Sequence, residues 1–198
     1  EKFGLATMSH RHDVFGLQQK LPPIIKYGLT FLFVQSEFGI CCPLSMTDSL
    51  TRTLKKFGDE KLVEKFFNQL TSQDLDNLFQ GAMFMTEQHA GSDVGSINTF
   101  AEFEDGNWFL TGDKWFCSNP DADLAMVLAR HNKKISGTKG LALFLLPKKL
   151  ENGDPNNYEI IRLKDKLGGR SFASGEIKLN RAFAYLVGNL DEGFKQMT

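Results

Sequence analysis

Hydrophobic residues recur along this chain with two different periods, and the change from one to the other falls near residue 80. From Pro22 to about Leu78 the spacing is helical. Pro22 and Pro23 suit a helix start, where a missing N–H costs little, and Ile25, Leu29, Leu32 and Phe33 follow at helical intervals. A second helix is predicted to begin between Ser45 and Asp48 and to run to Lys56, with Leu50 and Leu54 on one face and Gly58 as the closing residue. A third starts at Asp59, a good N-cap, and buries Leu62, Val63, Phe66, Phe67 and Leu70. The carboxylates of Asp59 and Glu60 also suit the positive end of that helix.

From Gly81 the chain reads as strands. Phe100 and Phe103 flank Glu102, Asp105-Gly106 follows, and Trp108, Phe109 and Leu110 come next. Asp-Gly between two such runs is a strong hairpin signal, because both residues tolerate the positive φ of a tight turn. Further strands are predicted over Leu124 to Arg130, Gly140 to Leu146, Tyr158 to Leu163 and Glu176 to Leu179, joined by segments rich in Gly, Asn, Asp, Pro and Lys. The pattern gives an α+β chain: an N-terminal all-α segment over 1–80, then an all-β part built as an antiparallel barrel or sandwich.

Composition narrows the function classes. The chain carries a formal charge of −1, and neither the part before residue 80 nor the part after it has a basic excess, so no nucleic-acid-binding face is expected here. Phe dominates the aromatics, with 18 residues against 3 Tyr and 2 Trp, which reads as core filling. Cys41, Cys42 and Cys117 are too few and too irregular for a disulfide scaffold. The longest apolar run, around Leu29 to Val34, is far too short to span a bilayer, and no signal-peptide pattern opens the chain. The first residue is Glu, and the last residues do not read as a closing cap, so a fragment of a longer protein is expected.

Three segments carry candidate chemistry. Met85 to Asp93 is a polar, small-residue loop leaving an apolar strand; Gly91 permits close backbone approach, and Thr86 and Ser92 bring hydroxyls. It reads equally as a ligand loop and as a plain capped turn. Asp113 to Pro120 is a strand ending in Ser118-Asn119-Pro120, in which Trp115 suits either a flat aromatic ligand or the core. Leu163 to Ser171, ahead of Gly175 to Ile177, is a charged surface loop, or one that presents Lys166 or Arg170 to an anion. There is no zinc-ligand spacing, P-loop lysine, nucleophile elbow or dinucleotide-binding glycine pattern.

These segments resemble a known family. Thr86-Glu87-Gln88-His89-Ala90-Gly91-Ser92-Asp93 resembles the acyl-CoA dehydrogenase signature. Asp113 to Asn119 resembles that family's second motif, and the run from Lys164 to Leu179 its third, in the family's order. The Cys41 to Leu50 run, the Trp-Phe-x-Ser spacing and Arg162 to Gly168 resemble the adaptive-response, AidB-like branch. The resemblance implies a barrel middle domain over 81–190, with 191–198 opening a further helical domain. It implies FAD as cofactor, with Met83, Phe84, Met85, Thr86 and Ser92 lining the flavin and its phosphates, and Trp115, Phe116, Cys117 and Ser118 beside the ring. Ser92 is also placed near the thioester of an acyl-CoA. Ser118 fills the family's hydroxyl position only if the strand carries one extra residue; otherwise the contact is Cys117.

The implied reaction is α,β-dehydrogenation of an acyl-CoA, a carboxylate taking the α proton while hydride passes to the flavin. In the family that base comes from a C-terminal helical domain, so no residue here is nominated for it. The implied setting is a homotetramer in the cytoplasm, or in the mitochondrial matrix of a eukaryote, passing electrons to an acceptor such as an electron-transfer flavoprotein. The AidB-like branch implies an alternative, a DNA-protective or lipid-binding flavoprotein, with DNA contact in the C-terminal domain.

Overall fold

The computed structural model describes residues 2–198. Three helices open the chain: α1 (Pro23–Ser36), α2 (Cys41–Phe57) and α3 (Glu60–Leu70). Asp59 caps α3 by accepting the Leu62 N–H at 2.8 Å. Helix α2 begins earlier than expected, at Cys41, because Pro43 falls within its first turn, where a missing donor is no loss. Helix α1 departs further from expectation. Its periodic apolar residues face outward, with Ile25 at 48% and Leu32 at 64% exposure, while Lys26 is buried. The apolar residues nearly encircle this helix, so periodicity does not select a face. An ion pair does: Lys26 Nζ lies 2.5 Å from Asp48 Oδ2 of α2, and His10 Nε2 lies 2.7 Å from the other oxygen.

Seven strands follow: β1 (Gly81–Phe84), β2 (Phe100–Glu104), β3 (Asn107–Ser118), β4 (Leu124–Arg130), β5 (Leu141–Pro147), β6 (Tyr158–Leu163) and β7 (Ser174–Val187). They form one sheet. Pairings run β4-β2-β3-β7-β5 and return from β5 to β4, with β1 added beside β4 and β6 beside β7. The expected all-antiparallel pairing is broken at one place: β1 pairs with β4, and β2 with β4, in parallel. The β2–β3 hairpin turns on Asp105 and Gly106, at φ of 49° and 80°, as its Asp-Gly sequence predicts. A short helix, α4 (Gly193–Met197), ends the chain. No helix of the described residues is long and apolar enough to cross a membrane.

Alternate residues of β4 and β5 feed two cores. Ala125, Val127, Ala129, Ala142, Phe144 and Leu146 pack on one side with Phe84, Leu110 and Cys117. Leu124, Met126, Leu128, Leu141, Leu143 and Leu145 pack on the other against Leu50, Leu54, Leu62, Phe66 and Leu70 of the helices. Burial of both faces explains why these strands read as continuous apolar runs.

Two bulges bend the long β3–β7 ladder. Leu110 pairs with Ala182 and Gly112 with Leu179, so β7 holds an extra residue there, and Arg181 takes φ 54°. This is why the sequence suggests a strand end at Leu179: polar Asn180-Arg181 reads as a turn, but the strand passes through it to Val187. In the second bulge Lys114 pairs with Ile177 and Cys117 with Gly175, placing the extra residue on β3, with Phe116 at φ 58°.

Candidate functional site

The second bulge brings two of the sequence-selected segments together. The Trp115 N–H donates to the Thr86 carbonyl at 2.8 Å, and Lys114 Nζ donates to the Met85 carbonyl at 3.2 Å. At the other end of β1, the Asn119 side-chain amide donates to the Gly81 carbonyl at 3.3 Å. Residues 114–119 are thus tied along 81–86 at three points. A left-handed φ on a bulky aromatic costs on the order of 1–3 kcal/mol. At Phe116 it leaves the ring 54% exposed beside Trp115 instead of in the core. Between Lys114 and Cys117, β3 carries one residue more than the facing stretch of β7.

The side chains divide. Phe84 and Cys117 are each 1% exposed and belong to the strand-side core, so only their backbone is open to a ligand. Burial pushes the Cys117 thiol up to about 12. Met83 and Met85 are half-buried against the helix-side core. Thr86, Trp115 and Ser118 are half-buried and Phe116 is exposed, so these four remain open on the surface. Ser92 lies farther along the loop and is exposed. Among the described residues, the hydroxyls of Thr86, Ser92 and Ser118 make no hydrogen bond to the protein.

Behind this patch lies a buried ion pair that the sequence did not disclose. Lys114 is 1% and Glu87 4% exposed, with Nζ 2.9 Å from Oε1. Glu87 also accepts the Asn98 N–H at 2.7 Å, the Thr99 N–H at 2.9 Å and the Thr99 hydroxyl at 2.5 Å. Burial pushes its carboxyl upward, but Lys114 and these donors outweigh that and hold it below the usual value. Burial lowers the Lys114 ammonium, against the opposing pull of Glu87. The pair joins the loop after β1 to the start of β2 and to β3. A Lys before the Trp and a Glu after the Thr were the available signals, but without spatial proximity neither marks the other.

The third segment contributes an unexpected residue. Lys166 and Arg170 serve their own loop: Lys166 Nζ donates to the Phe172 carbonyl at 2.7 Å and the Ser174 hydroxyl at 2.9 Å, and Arg170 Nε donates to the Lys166 carbonyl at 2.5 Å. Lys164 instead sets its Nζ 2.8 Å from the Trp115 ring centroid and 2.6 Å from Glu176 Oε1. A cleft of about 470 Å³ opens alongside, lined by His89, Asn98, Lys114, Trp115, Glu176 and Lys178 among others.

Comparison with known proteins gives consistent results. Residues 82–182 match the family described as the acyl-CoA dehydrogenase middle domain. Acyl-CoA dehydrogenase family member 11 of Caenorhabditis elegans is 36% identical over 199 residues, covering 96% of this chain and 32% of that protein. AidB of Escherichia coli K12 is 36% identical over 173 residues, covering 83% of this chain and 31% of AidB. The chain spans about a third of the length of these curated relatives. Among solved structures, C. elegans ACDH-11 in complex with C11-CoA superposes with a TM-score of 0.85 at 31% identity, over 99% of this chain and 34% of that one. Butyryl-CoA dehydrogenase of Megasphaera elsdenii superposes with a TM-score of 0.83 at 25% identity, over 98% of this chain and 50% of that one.

Proposed function

Because the chain belongs to the acyl-CoA dehydrogenase family, we propose that its Thr86–Ser118 patch holds the isoalloxazine of FAD, in a protein that dehydrogenates an acyl-CoA thioester. The observation that carries this reading is the Trp115-to-Thr86 backbone hydrogen bond, which joins two motifs lying about thirty residues apart in sequence. The residues present suit the group. A flat heterocycle with polar edges needs hydrogen-bonding groups not already spent on the protein, next to aromatic surface. Thr86 and Ser118 supply the first, Trp115 and Phe116 the second.

FAD, when bound, supplies the two-electron oxidation, which no amino-acid side chain performs alone. The chain's own residues bind and orient. The Thr86 and Ser118 hydroxyls hold the polar edge of the ring, and Ser92 approaches the phosphates or the thioester. Trp115 and Phe116 wall the ring from water. Met83, Phe84, Met85 and Cys117 set the backbone against which it lies. The Glu87–Lys114 pair fixes the loop, and this occupation disqualifies Glu87 as the base: its buried carboxylate is held by four donors, which lower its proton affinity and keep it from a substrate. We place the base in a part of the protein outside these residues.

On the same reading, the ring of strands over 81–190 is the barrel of a flavin-binding domain, 1–80 a helical domain and 191–198 the start of another. The C11-CoA complex of the C. elegans relative supports an acyl-CoA as substrate. An electron-transfer flavoprotein would take the electrons, and the working unit is a homo-oligomer.

The test is an absorbance spectrum of the full-length protein before and after anaerobic addition of acyl-CoAs of graded length. Flavin bands that bleach are expected. Flavin without bleaching at any length favours the AidB-like alternative, a flavoprotein with a protective or lipid-binding role, and absence of flavin contradicts the cofactor reading. Thr86→Ala is expected to weaken FAD retention by about three- to tenfold, the loss of one hydrogen bond.

A further inference from the structure

Trp115 lacks the restraint its proposed task demands. Among the described residues its indole N–H makes no hydrogen bond to the protein, and it sits on a bulge next to a residue in left-handed backbone. What touches its ring is Lys164. The ammonium lies 2.8 Å from the Trp115 centroid and 4.7 Å from that of Phe116, so one cation addresses both aromatics. The two rings stand 6.4 Å apart at 78°, their edges and faces offset.

That ammonium is itself held. Glu176 Oε1 accepts from Lys164 Nζ at 2.6 Å and from Arg162 Nε at 2.8 Å. The Lys164 side chain is 10% and that of Glu176 12% exposed, so this end of the arrangement is buried, while Arg162 lies at 65% in solvent. The Lys164 N–H donates to the Ser174 carbonyl at 2.7 Å, which fixes the base of the side chain as well. Two cations share one carboxylate, leaving a net positive charge under the rings. A lysine needed only to neutralise Glu176 would gain by turning its head to solvent, and Arg162 already supplies the charge.

We propose that Lys164 is a positioning residue of the cofactor site: anchored on Glu176, its ammonium holds Trp115 on the β3 bulge in the orientation that receives an aromatic cofactor. This rests on the cofactor reading above. Lys164 acts through Trp115 and does not itself touch the cofactor.

The experiment uses the full-length protein labelled with 5-fluorotryptophan, its Trp115 ¹⁹F resonance assigned as the one lost in Trp115→Phe. FAD affinity is measured in parallel by titrating the apoprotein. Lys164→Met is expected to move or broaden the Trp115 resonance while leaving the others in place, and to raise the FAD dissociation constant about tenfold. Lys164→Gln, which keeps a hydrogen bond to Glu176 without the charge, is expected to do the same should the Met variant fold poorly. Lys164→Arg, which keeps the cation, is expected to restore both. A variant whose Trp115 signal moves while FAD binds as in the wild type overturns the proposal alone. So does a variant in which neither changes. Wild-type protein that takes up no FAD overturns the cofactor reading and this proposal with it.

Discussion

Removing the Lys114 ammonium is the sharpest perturbation of the scaffold behind the site. At 2.9 Å and an effective dielectric of about 20, the attraction between Lys114 and Glu87 is about 6 kcal/mol, while each ion gives up several kcal/mol of hydration. The pair as a whole is therefore worth little, but each half is costly without the other. Lys114→Met leaves a carboxylate with 4% side-chain exposure facing the Asn98 and Thr99 donors and the His89 imidazole without its lysine, and is expected to cost about 3–5 kcal/mol. Glu87→Gln leaves an ammonium with 0% exposure and is expected to cost about as much. The double variant removes both charges and is expected to cost less than the two singles together, with a coupling of about 2–3 kcal/mol. Urea unfolding followed by circular dichroism measures this; at a slope of about 2 kcal/mol/M, each single variant lowers the midpoint by about 2 M. Costs that add to within about 0.5 kcal/mol would contradict this, since additivity means the two charges do not depend on each other.

Three further outcomes follow from other residues. Gly112→Ala is expected to cost at least about 2 kcal/mol and lower the melting temperature by about 4–8 °C, because Gly112 sits at φ 149° and an added Cβ meets the Thr99 Cα at 2.7 Å; an unchanged melting temperature would contradict the bulge geometry. Under native conditions at pH 8, a thiol reagent is expected to label half-buried Cys42 but not Cys117, whose thiol burial pushes up to about 12 and hides from solvent. On the acid side, Glu87 and Asp48 are both held below their ordinary values of 4.5 and 3.8, by Lys114 and by His10 with Lys26 respectively, each against the upward push of burial. The stability they contribute is present above those values and is lost as pH falls through the lower folded ones. The melting temperature is expected to hold from pH 7 to about 5 and then to fall; a rise below pH 4.5 would contradict the assignment.

Local signals carried much of the fold. Strands β4 and β6 are found at the predicted residues, and Asp59 and Asp105-Gly106 do what their chemistry predicts, because caps and tight turns are decided within a few residues. What failed depended on distant partners. No local pattern says that Lys26 of α1 turns inward to meet Asp48 and His10, leaving Ile25, Leu29 and Leu32 outside. Nor does one say that Asn180-Arg181 is a bulge and not a turn, since a bulge is defined by the strand opposite. For the candidate site, the two motif segments were legible from the resemblance and lie side by side in the structure, while the bulge at Phe116 is defined only by the strand opposite. The pairing of Glu87 with Lys114 exists only once the loop after β1 lies against β3, and the reach of Lys164 to Trp115 only once β3, β6 and β7 lie side by side.

On the proposed reading, the loop at Thr86 and the bulge ahead of Ser118 grip one ring between them. A crystal structure of the full-length protein loaded with FAD tests it most directly. The expected result has Thr86 and Ser118 both within hydrogen-bonding distance of the same isoalloxazine, with Trp115 or Phe116 against it. A ring bound elsewhere, or one touching only one of the two segments, would contradict the account.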